Sequence, residues 1–366
     1  MTTSDLSTAQ PMPIRRLYPA ARSRVGLLLA LALLLGLTCL FALGHGAVAI
    51  NPGQAAAIVA DKLGIALAWP FGPEQQAVLL SIRAPRLVLG LLVGAVLAIS
   101  GASMQGLFRN PLADPALIGI SSGAALAAVT VIVLQNSLLG GLNHLLGQYF
   151  LPLAAIVGSF AVSWLVYQLA GSSDRLDIGS LLLAGIAINA LAGSATGLLV
   201  YLANDDQLRT LTFWSMGSLN GVGWDSVALG APFLLLTVLL LPFLADALNA
   251  LLLGEAEAGH LGFPVERIKT AIVALVALGV GTAVALTGVI GFIGLVVPHL
   301  LRLALGPDHR WLLPGSALLG ALLLLCSDYL ARTLAAPAEV PIGIITGVLG
   351  SPFFLWLLFR QKIMGH

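Results

Sequence analysis

Charge is scarce in this chain. Lys, Arg, Asp and Glu make up 9% of its 366 residues, against roughly 25% in an ordinary soluble domain. With 58% hydrophobic residues and a mean hydropathy of +1.00, water cannot be its main solvent. The net charge of +1 leaves no basic field for nucleic acid and no acidic tail. Lysine is rarest of the cations: Lys62, Lys269 and Lys362 follow Asp61, Ile268 and Gln361. A P-loop needs its Lys directly after Gly, so that ammonium and backbone amides hold the phosphates together. None exists, so any ATP used here is hydrolysed by another chain. The two cysteines, Cys39 and Cys326, lie in apolar runs and read as buried thiols. The six histidines never pair at i,i+3 or i,i+4, and HExxH and CxxC are absent, which argues against metal and nucleophile chemistry. Carboxylates at membrane depth would mark an ion-coupled carrier. The one candidate, Asp328, stands four residues before Arg332, where an i,i+4 ion pair explains it.

What the chain has in abundance is uninterrupted apolar sequence. Charge-free stretches long enough to span a bilayer occur at about 25–49, 87–107, 116–134, 150–170, 178–203, 226–245, 270–290, 311–331 and 340–359. Residues 270–298 carry no charge over 29 positions, too many for one crossing, and Gly288, Gly291, Gly294 and Pro298 interrupt the run. The spacing predicts a seventh helix followed by a short eighth near 292–305, ten crossings in all, with both termini on one side. An all-α polytopic membrane protein follows, with a tail at 1–24 and a single transmembrane domain at 25–362. The first run, Val25 to Leu43, has 19 uncharged residues, longer than the ~7–15 of a signal peptide, and reads as a retained helix.

Twelve of the 17 Lys and Arg fall on the side of the termini; Lys62, Arg83, Arg86, Arg209 and Arg332 fall on the other. The positive-inside rule then makes both termini cytoplasmic. Gly90, Gly94 and Ala98, at four-residue spacing, suit close helix packing. The spacing of Gly94, Ala98, Ser100, Gly101 and Pro111 recurs in Gly281, Ala285, Thr287, Gly288 and Pro298, as a duplicated half or by chance. Among loops, 249–265 (NALLLGEAEAGHLGFPV) is the one on the terminal side with two acids, Glu255 and Glu257. It predicts short helices ended by Gly-Phe-Pro, serving as a connector or as a docking site for a soluble partner. Arg83 and Arg86 in SIRAPR run against the charge bias. They read as snorkelling anchors or, with Arg332, as a docking patch for an acidic partner.

Four segments carry a resemblance: SIRAPR at 81–86, GAVLAISGASMQGLFRNPLADPALIGISSGA at 94–124, GFIGLVVPHLLR at 291–302 and EVPIGIITGVLGSPFFLWLL at 339–358. They resemble the iron-chelate, haem and vitamin B12 uptake permeases of bacterial ABC importers. The resemblance implies the type II importer fold of ten helices in the inner membrane. It also implies a homodimer with its path along the dimer axis, two subunits binding ATP and Mg below, and a periplasmic substrate-binding protein above. The ATPase-coupling segment would be 250–262, with Glu255, Ala258, Leu261 and Gly262. The arginines pairing with binding-protein glutamates would be Arg83, Arg86 and Arg332. LLLAGIAINALAG, LRTLTFWSMGSLNG and ARTLAAPAEVPIG look most similar to the haem permeases, which makes haem the expected cargo and a ferric siderophore or vitamin B12 the alternatives. An ion-coupled secondary carrier is a further rival. Gly94, Ser100, Met104 and Gln105 on the second helix and Asn189 and Thr196 on the fifth are candidates for the path, because polar groups at membrane depth need a partner or water. Hydrogen bonding between helices would satisfy them equally.

Overall fold

The computed structural model describes residues 21–46, 48–135, 137–172 and 175–364; the expected tail lies outside them up to residue 20. Seven helices are long and apolar enough to cross a membrane, and three shorter apolar ones complete ten among the described residues. In chain order the ten are α1 (Ala21–Gly44), α2 (Ala84–Leu107), α3 (Ile120–Leu134), α4 (Phe150–Ala170), α5 (Ile178–Tyr201), α6 (Trp224–Leu240), α7 (Val265–Thr287), α8 (Ile293–Leu305), α9 (His309–Thr333) and α10 (Ile342–Met364). The split of the long run holds: α7 stops at Gly288 (φ +71°), and Phe292 (φ +70°) precedes α8.

Polar residues sit where helix ends leave amides unpaired. Asp177 caps α5 through the Ser180 amide at 2.7 Å, and Asp308 caps α9 through that of Arg310 at 3.0 Å. Asn51 with Gln54 and Asn204 with Gln207 close capping boxes on the short helices Pro52–Lys62 and Asp205–Ser215. Two-residue strands, β1 (Gly171–Ser172) and β2 (Arg175–Leu176), pair antiparallel between α4 and α5.

At the centre stands α2, enclosed by α9, α8, α7 and α6; α3, α4 and α5 pack as a second group that joins the first through α7. In their most apolar windows α2 is 78% buried and α1 only 6%. Leu29, Leu33, Leu37 and Leu40 of α1 lie exposed on an apolar helix, an arrangement stable only against lipid. Small residues set the central distances. A Cβ on Gly94 would meet the Gly320 carbonyl oxygen at 2.5 Å, and one on Gly101 would strike that of Gly294. Backbone meets backbone there, which is how helices associate where lipid supplies no hydrophobic drive.

The two matched segments differ in local structure: Gly101 lies within α2 whereas Gly288 ends α7, and Pro111 lies in a loop whereas Pro298 is inside α8.

Candidate functional site

Charged contacts gather at the two ends of the bundle, because a bilayer interior offers ions no solvent. At the end where α1 begins, Arg24 approaches Asp308 at 3.9 Å and Arg310 pairs with Asp246. Here α6 connects to α7 through the helices Ala245–Leu251 and Glu255–His260, cornered at Gly254 (φ +135°) and Gly262 (φ +89°). Leu261 is 62% exposed and Gly262 is exposed beside it, whereas Ala258 is fully buried. The residues of the expected coupling segment therefore divide: Leu261 and Gly262 are presented outward, and the Ala258 methyl packs into the core.

Glu255 turns inward to Lys269 on α7, at 2.9 Å. Lys269 is 1% exposed, and its ammonium also reaches Glu266 at 2.9 Å and the Leu176 carbonyl at 2.7 Å. The Leu176 amide in turn donates to Glu266 at 2.8 Å. Asp177, next in the chain, has its carboxyl held below the usual range by hydrogen bonds from the Ser180 side chain and amide. Sequence reasoning treated Lys269 only as a cation on the terminal side. The i,i+3 spacing of Glu266 and Lys269 was visible, but Leu176 and Glu255 come together with them only in three dimensions.

At the opposite end, the π-helical turn Val78–Arg83 leads into α2. Arg83 and Arg86 are only 7% and 8% exposed. Arg83 donates to the carbonyls of Leu43 (2.5 Å) and Val48. Arg86 donates through Nε and Nη2 to Oδ1 of Asp328 (2.9 and 2.8 Å) and through Nη1 and Nη2 to both Glu339 carboxylate oxygens (2.9 and 3.0 Å). The i,i+4 pair is present, with Arg332 Nε 3.2 Å from Asp328 Oδ2. Arg86, 242 positions away in sequence, is nevertheless the main partner of Asp328. Of the three arginines expected at the docking surface, Arg83 and Arg86 have guanidiniums satisfied internally, as buried charge requires. Arg332, with 19% of its side chain exposed, keeps an outward flank. Beside this network lies a cavity of about 490 Å³ lined by Phe213, Trp214, Ser218, Asn220, Leu286 and Glu339.

The path candidates separate by helix. Gly94, Ser100, Met104 and Gln105 are all buried, Ser100 and Met104 completely. Gln105 donates to the Leu295 carbonyl at 3.3 Å. All four lie inside the single chain, where α2 is the hub. On α5, Asn189 is half-buried; it donates to the Ala116 carbonyl (3.1 Å) and accepts from the Ser122 hydroxyl (2.5 Å). Thr196 is half-buried beside an exposed run of small residues, Ala190, Gly193, Ser194 and Gly197.

The family model described as the FecCD transport family matches residues 33–360. The chain is 52% identical over 283 residues to the hemin transport system permease protein HmuU of Yersinia pestis, covering 77% of this chain and 83% of that protein. To the cobalamin import system permease protein BtuC of Halobacterium salinarum it is 43% identical over 305 residues, covering 82% and 79%. A solved structure, described as the inward-facing conformation of an ABC transporter provisionally typed as metal-chelate, matches at a TM-score of 0.78 and 32% identity over 92% of this chain and 99% of that one. Ten apolar helices among the described residues, matched along nearly their whole length, leave one assignment: this chain is a multi-pass membrane protein with the ABC-importer permease fold and belongs to the FecCD transport family.

Proposed function

We propose that this chain is the permease subunit of an importer that carries haem across the bacterial inner membrane, driven by ATP hydrolysed with Mg on separate subunits. The observation that carries the reading is 52% identity to a hemin permease over most of both chains. Two copies pair around a central path, two ATP-binding subunits dock at the end bearing Leu261 and Gly262, and a periplasmic binding protein delivers cargo at the end bearing Arg332. The excess of Arg and Lys at the docking end supports a cytoplasmic placement of that end and of both termini. Leu261, apolar and 62% exposed among loops, is the kind of side chain a soluble partner covers. Arg332 offers its exposed flank to carboxylates of the binding protein, with Arg83 and Arg86 forming the rigid base beneath it. The small, weakly polar face of α5 near Thr196 suits a bulky planar cargo that must pass without being held.

A second cargo, cobalamin, is favoured by the 43% identity to a cobalamin permease. The test is uptake into proteoliposomes containing the permease, its ATP-binding subunits and its binding protein, offered hemin, cobalamin or a ferric siderophore. Hemin uptake that requires ATP and stops with vanadate is expected. Uptake indifferent to both would mean a secondary carrier and end the proposal; cobalamin uptake without hemin uptake would reassign the cargo.

A further inference from the structure

Three segments meet at one ammonium group: the short helix Glu255–His260, the start of α7 that follows it, and Leu176 at the foot of α5, 93 positions before Lys269. A lysine ammonium has three N–H donors. Lys269 gives them to Glu255, Glu266 and the Leu176 carbonyl, all within 2.9 Å, while it is 1% exposed. Glu266, one turn earlier, accepts the Leu176 amide at 2.8 Å, so both backbone polar atoms of Leu176 are gripped from α7. The Leu176 side chain is itself 4% exposed. Asp177 follows directly and caps α5, so no free residue intervenes between this grip and the first turn of that helix.

On the other side, the helix Glu255–His260 lies between Gly254 (φ +135°) and Gly262 (φ +89°). These backbone conformations favour glycine, and they set a corner at each end of the short helix. Glu255, its first residue, is its charged tether to α7. A buried ion pair is an expensive way to gain stability, since apolar side chains of similar volume often serve as well. Directional, three-way contact is what the ammonium adds.

We propose that Lys269 is a positioning residue that transmits displacement of the docking segment to α7 and to the base of α5. This deepens the proposed function and rests on it. A pull on Glu255–His260 moves Glu255; the ammonium carries the displacement to Leu176 and, through Asp177, to the helix whose small face borders the path.

The test uses the full complex in proteoliposomes and reads cargo moved per ATP hydrolysed. Wild type is measured first: absence of ATP-dependent uptake there refutes the proposed function, and this inference with it, before any variant is read. Lys269→Met keeps chain length and removes the charge and all three donors. It is expected to lower cargo per ATP about five-fold or more, within the usual range of coupling between sites. Lys269→Arg, which keeps the charge, should recover part of the ratio. A lysine that served folding alone would lower uptake and hydrolysis in parallel, and an unchanged ratio overturns the proposal. Should Lys269→Met fail to assemble, Glu255→Ala decides. It leaves the grip of Lys269 and Glu266 on Leu176 in place and removes the acceptor that tethers the short helix, and a wild-type ratio in that variant overturns the proposal as well.

Discussion

Replacing Asp328 with Leu removes the acceptor at the middle of the charge network. Asp328 is 3% exposed and takes two hydrogen bonds from Arg86, at 2.9 and 2.8 Å, and a contact from Arg332 at 3.2 Å. Removing one member of a buried pair costs about 3–5 kcal/mol, largely because the remaining charge is stranded. Arg86 keeps two bonds to Glu339, so the lower end applies, about 3 kcal/mol. Removing Arg86 as well, in Arg86→Met with Asp328→Leu, takes away the buried guanidinium and leaves unpaired only Arg332 and Glu339, whose side chains are 19% and 29% exposed and reach water. The double variant should therefore lose less than Asp328→Leu alone, whereas independent sites would add. Glu339→Ala, at a side chain 29% exposed, should cost about 1 kcal/mol, the scale of a solvent-screened pair. Unfolding in mixed micelles against increasing SDS measures wild type, Asp328→Leu, Arg86→Met, their double variant and Glu339→Ala on one scale. The reasoning fails if Asp328→Leu stays within about 1 kcal/mol of wild type, or if the double variant loses the sum of the two single changes.

Two further outcomes are expected in the same assay. Gly101→Ala drives a methyl against the Gly294 carbonyl, where both neighbours are backbone and neither can swing aside, and should cost about 2–3 kcal/mol. Gly193→Ala, with nothing within 4 Å of the new carbon, should be neutral or slightly stabilising; equal losses at the two positions would dismiss the close-approach argument. Asp114 lies in the loop before α3, where burial raises its pKa more than the hydrogen bond from the Ala116 amide lowers it. A carboxyl with a raised folded-state pKa binds its proton more tightly when folded. Its favourable contribution is complete below the unfolded value and is lost as pH rises through the folded one. Asp114→Asn, which keeps the capping oxygen without the charge, should match or exceed wild type at pH 7 and lose that advantage in acid. Asp114→Ala should lose about 1 kcal/mol with the cap. An Asn variant weaker than wild type at neutral pH would refute the burial account.

Most of the architecture was legible because a bilayer imposes a length and an apolar composition on each crossing. The break at Gly288–Phe292 and the paired short helices of 245–260 could be read from glycines and charge alone. The candidate site was legible less evenly. Exposed Leu261 and Gly262 lie in a segment that already looked like a docking loop. The arginines of SIRAPR looked like surface residues, because their partners are remote in sequence: those of Arg86 stand 242 and 253 positions later, and those of Arg83 stand 40 and 35 positions earlier. Ser100 and Gln105 could be read in the sequence as path residues or as helix–helix contacts, because a polar group in an apolar helix has the same signature whether it faces water or a neighbouring helix.

Composition and the spacing of charges by themselves determined that this chain is a membrane bundle of ten helices with no nucleotide motif of its own, since these properties depend only on local sequence and on the solvent the chain must satisfy. Tertiary structure alone decided which helix is the hub, which cations are satisfied internally, and that Lys269 joins Glu255 to Leu176. Those facts depend on which segments, distant along the chain, come within hydrogen-bonding distance, and no periodicity encodes that distance.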